Sequence, residues 1–458
     1  MTQAEAESAP LIPPTLPVHD RQLPPLVALW MGVRNNLSTW PRVAFEEPVW
    51  RSRFFGATVL VVSDPAGVRQ VLNEAADKYR RPVMAYRALR PIGGDGVFLA
   101  EGADWRRQRK MLSPLFTPAS VGLLVPHFHA AAGHLLRRLD GAAQSNLARD
   151  FQDAALEAVF RALFSLPETE RREKLGALAR LYLQGVGRPN VFDVFAGREQ
   201  SYPLVLRGRE KFRAQWRQAI DGIIAERRVA PKTAQGRDLL DLLLAVRDPA
   251  SGEGLSTAEI RDQCATMLVA GFETTARLMF WLCYLLALDP AEQDRIRDEL
   301  AAFPPDCVET LDDLAHWPRL RNAMLEALRL YPPAPHVLRK AVAHDIVCGQ
   351  PIAPGTQVWV SPWLIHRHRA YWEQPDAFMP ARFAGKPAPW SSGAPFMPFG
   401  AGPRICIGAG FALAEAQIVL GHFLARFRIG LMDHKPVLPV GAVTISPSRE
   451  PMFRLERV

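Results

Sequence analysis

The sequence predicts a mainly α chain with a minor β part at its two ends, and three observations carry that prediction. From Ala103 to about Leu288 apolar residues recur at helical spacing. Short runs rich in β-branched and aromatic residues, Val49–Phe55 and Gln357–Val360, fall on either side of that block. Near the C-terminus a loop dense in Pro and Gly, Phe396 to Gly408, runs straight into a further helical pattern (Phe411, Leu413, Ile418, Leu420) that lasts to about Phe427.

Taken in order, residues 1–25 are Pro-rich with little periodicity and predict an extended arm laid over the body. A short helix is expected from Leu26 to about Trp40, so that residues 1–45 form an arm with a helix and 46–458 a single domain. Val49–Phe55 and Ala57–Ser63 predict two strands of a hairpin around Gly56, after which Asp64-Pro65 caps a helix reaching about Asn73. Residues 80–100 hold Pro82, Pro91 and the run Gly93-Gly94-Asp95-Gly96, which predicts a mobile loop. The helical block is interrupted near 188–203 and 229–237. Ser256-Thr-Ala-Glu259 is a capping box that opens a helix ending at Asp289-Pro290. Strand character returns at Ala341-Val342, Ile346-Val347 and Gln357–Val360. An irregular stretch rich in Pro and Trp, roughly 365–399, precedes the cysteine loop, and loops that long usually have a function. There is no internal repeat.

Composition narrows the classes. A hydrophobic content of 48% suits a globular core and is too low for a multi-span membrane protein. The apolar run Leu26–Val33 falls far short of the roughly 20 residues a span needs, and Glu5 and Glu7 stand where a signal peptide would be basic. Lys and Arg number 55 against 47 Asp and Glu, giving +8, which favours acidic partners; the charge is spread along the chain, which argues against nucleic acid. The five cysteines form no paired framework and read as reduced thiols, with Cys264 and Cys283 in a helical core. The expectation is a soluble, cytoplasmic monomer with no membrane span.

Cys406 sits where a tight loop feeds a helix N-terminus, whose dipole and unpaired N–H groups favour a thiolate. Such a thiolate is a nucleophile, a zinc ligand, or an axial ligand to an iron that brings its own nitrogens. Zinc needs further protein ligands, and no other Cys or His lies within ligand spacing. A nucleophile needs a His base, which the sequence leaves open. The order Phe399-Gly400-x-Gly402-x-Arg404-x-Cys406-x-Gly408 fits the third case: glycines let a flat macrocycle approach, Phe399 covers the sulfur side and Arg404 meets a carboxylate. This pattern resembles the haem loop of the cytochrome P-450 family, soluble bacterial type, and the resemblance runs from about residue 45 to the C-terminus. It implies that fold, with haem b (iron protoporphyrin IX) between the long central helix and the helix after Cys406, its sole metal ligand.

Further stretches resemble the same family. Ala270-Gly271-Phe272-Glu273-Thr274-Thr275 interrupts an apolar helix with polar residues, and a mid-helix Gly costs about 1 kcal/mol against Ala. Gly271 is expected to allow a local widening. The segment resembles the family's oxygen-activation segment, in which Thr274 and Glu273 would serve proton delivery. Glu326-Ala-Leu-Arg329, completed by Arg382 in Phe378-Met-Pro-Ala-Arg382-Phe383, resembles the family's E-x-x-R core triad, despite Ala381 where an acid is common. Trp105 and Arg109, one turn apart, resemble the W-x-x-x-R pair that meets a haem propionate, and Arg339 and Arg404 resemble further propionate partners. Arg107 and Lys110, elsewhere on that helix, are expected to offer a docking face for an acidic electron donor. By resemblance Ala270 also meets the haem, and the substrate meets Val97, Phe98, Ala270, Thr274, Pro335, Val337, Thr444 and Ile445. These are mostly apolar, so an apolar substrate is expected. His336 among them is expected to be satisfied by local backbone.

The resemblance thus implies a monooxygenase that inserts one oxygen atom from O2 into an apolar organic substrate. Electrons would come from a separate ferredoxin or flavodoxin with its NAD(P)H reductase. The alternatives are a peroxygenase or isomerase on the same fold, or a non-catalytic haem sensor or electron carrier.

Overall fold

The computed structural model describes residues 10–54, 57–165, 170–182, 185, 187, 203–229, 238–385 and 395–458. The expected turn at Gly56, the interruptions near 188–203 and 229–237, and part of the irregular 365–399 stretch lie outside the described residues.

The architecture is mainly helical. The helices that position the site are α1 (Pro25–Arg34), α2 (Val83–Gly93), α3 (Gly102–Leu112), α4 (Val125–Arg138), α5 (Leu147–Phe164), α6 (Thr257–Leu288), α7 (Pro318–Leu330) and α8 (Ala409–Arg426). A five-stranded sheet is built from β1 (Val49–Phe54), β2 (Ala57–Val62), β3 (Tyr79–Arg80), β4 (Val337–Ala341) and β5 (Gln357–Val360), in the spatial order β1-β2-β5-β4-β3. Only the β2–β5 pair is parallel, with Val59 opposite Gln357. The strand after α8, Phe427–Leu431, pairs with the C-terminal strand Phe453–Arg457, which also pairs with Gln144–Ser145 ahead of α5. Residues 10–24 run extended and bridge to the body at Leu11 with Phe378 and at His19 with Pro41.

The core lies where α5, α6 and α8 meet. The second half of α6 is buried on nearly every side, from Phe280 through Leu286, and Trp281 stacks on Tyr331 with ring centroids 4.0 Å apart. Both halves of the capping box form: the Ser256 hydroxyl accepts from the Glu259 N–H, and the Glu259 carboxylate accepts from the Ser256 N–H at 2.8 Å.

Two expectations are corrected here. Half of the 80–100 segment is no loop: strand β3 ends at Arg80 and helix α2 takes up Val83–Gly93, while 94–100 are turns as expected. Pro82 stands at the N-cap of α2, and Pro91 falls in its last turns. Pro91 cannot donate to the Arg87 carbonyl, which the Arg209 guanidinium approaches at 3.5 Å. Neighbouring side chains bond further carbonyls of that end: Tyr182 donates to Ala88, Trp216 to Ile92 and Thr266 to Gly93, at 2.6, 2.8 and 3.0 Å. The glycines do their work beyond the helix, where Gly94 has φ +59°. The second correction concerns Gly271. Helix α6 runs through it without widening; a Cβ there would lie 2.9 Å from Val159 Cγ2, so the glycine serves close packing against α5.

Candidate active site

The cysteine loop is shaped by its own backbone and by what it crosses. Gly400 and Gly402 both take positive φ, and a Cβ on Gly402 would lie 2.1 Å from the Leu72 carbonyl oxygen. That glycine therefore answers to protein backbone rather than to a macrocycle. The Cys406 N–H donates to the Phe399 carbonyl at 2.9 Å, which closes the loop before α8 starts at Ala409. Cys406 lies deep in the fold yet its own surface is exposed, as in a concave site. Burial pushes its thiol up, opposed by the Gly408 N–H and the Arg109 guanidinium. Desolvation thus works against the helix end on which a free thiolate was expected. Among the described residues no group of three His, Cys, Asp or Glu could hold a metal ion.

Around the loop stands an excess of positive charge. Arg404 bonds Glu101 at 2.9 Å and the Ala100 carbonyl at 3.0 Å, and its guanidinium lies 4.5 Å over the Trp105 ring. Arg339, on β4, donates to the Leu338 carbonyl, and burial with Arg404 nearby lowers it to about 10. Arg81, which the sequence offers no signal for, stands 3.7 Å from Glu101 and over the Phe98 ring. Its buried Nη1 has no hydrogen-bond acceptor, and burial with Arg404 and Arg339 lowers it to about 9. These three guanidiniums face one carboxylate, Glu101. The chemistry fits a cofactor that presents its own carboxylates at this edge and takes a single thiolate. A haem meets both conditions.

The other expected residues divide. Arg329 donates twice to Glu326 at 2.7 Å, Arg382 donates to the same carboxylate at 3.2 Å, and Glu326 and Arg329 are fully buried. Arg329 also serves the carbonyls of His366, Pro375 and Ala377, which ties the irregular stretch to α7. On α6, Ala270 is exposed although neighbouring Leu268 and Phe272 are buried. Thr274 donates to the Ala270 carbonyl at 2.7 Å. Glu273 is buried and held by Arg277 at 2.7 Å, by Gln152 at 3.0 Å and by Thr444 at 3.4 Å. The Glu273–Arg277 pair was readable as i,i+4 spacing; Gln152, on α5, was not.

Of the expected substrate contacts, Phe98 and Val337 keep surface, whereas Val97 and Pro335 are buried and the exposed residue of that turn is Ala334. The Thr444 hydroxyl turns to Glu273, and Ile445 is fully buried, so its side chain presents no wall. His336 meets the local backbone at Pro335, as expected, and also bonds side chains distant in sequence, Ser361 at 3.0 Å and Asn36 at 3.2 Å. Arg107 forms an ion pair with Glu259 across α3 and α6, which removes it from the expected docking face; Lys110 is exposed beside it.

The comparisons agree with this geometry. The family model for Cytochrome P450 matches residues 25–449. Human cytochrome P450 4F2 is 31% identical over 408 residues, 82% of this chain and 76% of that protein. The chloroplastic protein LUTEIN DEFICIENT 5 of Arabidopsis thaliana is 27% identical over 85% of this chain and 68% of its own. Cytokinin hydroxylase of the same plant is 29% identical over 77% of this chain and 70% of its own. Among solved structures, the cytochrome P450DA heme domain superposes with a TM-score of 0.78 at 24% identity, covering 98% of this chain and 99% of that one. No described helix is long and apolar enough to cross a membrane. The chain belongs to the cytochrome P450 family, whose members carry haem b and act as monooxygenases.

Proposed function

We propose that this chain oxidises an apolar small molecule with O2, drawing electrons from a separate ferredoxin or flavodoxin served by an NAD(P)H reductase. The observation that carries the proposal is Cys406: an exposed thiol just ahead of α8, acted on by the Gly408 N–H and the Arg109 guanidinium; Ala270, Ala334, Val337 and Phe98, which keep surface, would supply the apolar walls. When bound through that thiolate, haem supplies the O2 chemistry. Cys406 would be the metal ligand, with Arg109 and the Gly408 N–H steadying its charge. Arg81, Arg339 and Arg404 would hold the cofactor's carboxylates, with Trp105 packed under Arg404. Thr274 would pass a proton at its hydroxyl, and Glu273, fixed by Arg277 and Gln152, would supply it. The Glu326, Arg329 and Arg382 cluster has a structural part: it fastens the chain that leads into the cysteine loop. Lys110, without Arg107, remains on the face proposed for an acidic donor, and the free thiols support a cytoplasmic setting.

The test is a spectral-shift screen of the haem-loaded protein against terpenes, fatty acids, steroids and aromatics. Apolar compounds should shift the Soret band of the haem-loaded protein at micromolar concentrations. They should then be oxidised once ferredoxin, reductase and NAD(P)H are added. A protein that answers only to gases, or to no organic compound, would instead be a sensor or carrier.

A further inference from the structure

Away from the active site, a cavity of about 40 Å³ lies beneath the N-terminal arm. Arm residues Thr15–Val18 form one wall; apolar Leu37 and Phe45 together with Trp40, Trp363, Arg367, Arg369 and Asp376 line the rest. Three of these residues carry buried N–H groups with no hydrogen-bond acceptor: the Trp40 and Trp363 indoles, and Nε and Nη1 of Arg367. Every orphaned polar atom among the lining residues is therefore a donor.

The charge balance points the same way. Arg367 is 3% exposed, with its guanidinium stacked 3.6 Å over the Trp363 ring. The carboxylate within reach, Asp376, bonds Arg369 at 2.7 Å and stands 3.9 Å from Arg367 Nε, beyond hydrogen-bond distance. Arg369 is exposed to solvent, so the buried charge is that of Arg367, whose nearest carboxylate is shared and lies outside hydrogen-bond reach; a buried charge is costly unless paired. Burial accordingly lowers Arg367 to about 9. Water can fill such a space, but each water brings two protons that need acceptors of their own. An anion brings acceptors alone and also neutralises the charge.

We propose that this cavity binds one small monovalent anion, of halide or formate size, held by Arg367 with the Trp40 and Trp363 indole N–H groups, and that the bound anion fastens the arm to the body. The arm already bridges the body at Leu11 and His19, on either side of Thr15–Val18, so the anion would secure the span between those two points. Gluconate, by its size, would be excluded from a 40 Å³ space.

The test uses the haem-loaded full chain at constant ionic strength, with chloride, bromide or formate replacing gluconate. Thermal unfolding should move up saturably, by about 1–2 °C at tenfold excess over the dissociation constant, and gluconate should give nothing. A response to halides alone assigns a spherical ion; a response to formate alone assigns a carboxylate. Trp40→Phe keeps a ring but removes one donor, and should raise the half-saturating concentration several-fold. Crystals grown in bromide give a readout that needs no variant: an anomalous peak within hydrogen-bond reach of Arg367 Nε and Nη1. Unfolding that is identical in chloride, bromide, formate and gluconate would overturn the proposal, as would a cavity holding only water in crystals grown in the anion that shifts unfolding.

Discussion

At the scale of single residues, one hydroxyl and one thiol carry the chemistry. The Thr274 hydroxyl donates 2.7 Å to the Ala270 carbonyl, while Thr275, about 100° further round the helix, is buried and donates to Gly271 at 2.9 Å. If Thr274 passes protons, Thr274→Ala should keep consuming NAD(P)H but form less product and release more hydrogen peroxide. Thr275→Ala should couple as wild type does. Product per reductant consumed, with peroxide assayed alongside, decides between them; loss of coupling in Thr275→Ala alone would place the working hydroxyl one residue further on. Cys406, Glu326, Arg329 and Arg382 were legible because each belongs to a motif of fixed spacing. Arg81 was not, because nothing local marks an arginine whose partners lie elsewhere: Glu101, and the Arg339 and Arg404 charges. Arg107 misled for the same reason, its partner Glu259 being 152 positions away.

At the scale of elements, long-range packing decided what local signals could not. Proline and glycine in 80–100 argued for a loop, yet side chains from distant helices bond the carbonyls at the end of α2. The capping box of α6 was legible because both partners lie within three residues. Gly271 shows the converse case, a helix breaker tolerated because α5 comes so near. Gly271→Ala gains about 1 kcal/mol in helix propensity but drives a methyl into Val159, an overpacking worth about 1–3 kcal/mol. The expected net effect is a loss of about 1 kcal/mol. Val159→Ala in the same chain should relieve it, so that the double variant is more stable than the sum of the singles. Additive losses in denaturant titrations would show that the two helices do not compete for that space.

At the scale of the whole molecule, three desolvated histidines set an acid limit. Burial lowers His336 and His422 to about 4 and His366 to about 3, below the ordinary value of 6.5. Between those values the unfolded chain binds more protons than the folded one, so stability is complete above about pH 6.5 and falls as pH drops towards 4. A tenfold difference in proton affinity between the folded and the unfolded chain is worth about 1.4 kcal/mol. Tm should therefore decline steeply across that window, and His336→Gln should flatten the slope; a Tm constant from pH 6.5 to 4 would refute the assignment. The order of helices and strands was legible over the long periodic stretches, 83–93 excepted, whereas which of the expected substrate contacts keep surface was not. Ala334, Thr444 and Ile445 owe their exposure or burial to tertiary contacts alone. The central claim is that Cys406 is the sole protein ligand to the haem iron. The most direct measurement is the spectrum of the reduced, haem-loaded protein under carbon monoxide. A Soret band far to the red, as thiolate ligation gives, is predicted for the wild type, with a globin-like band in its place for Cys406→His. A globin-like band in the wild type would contradict the account.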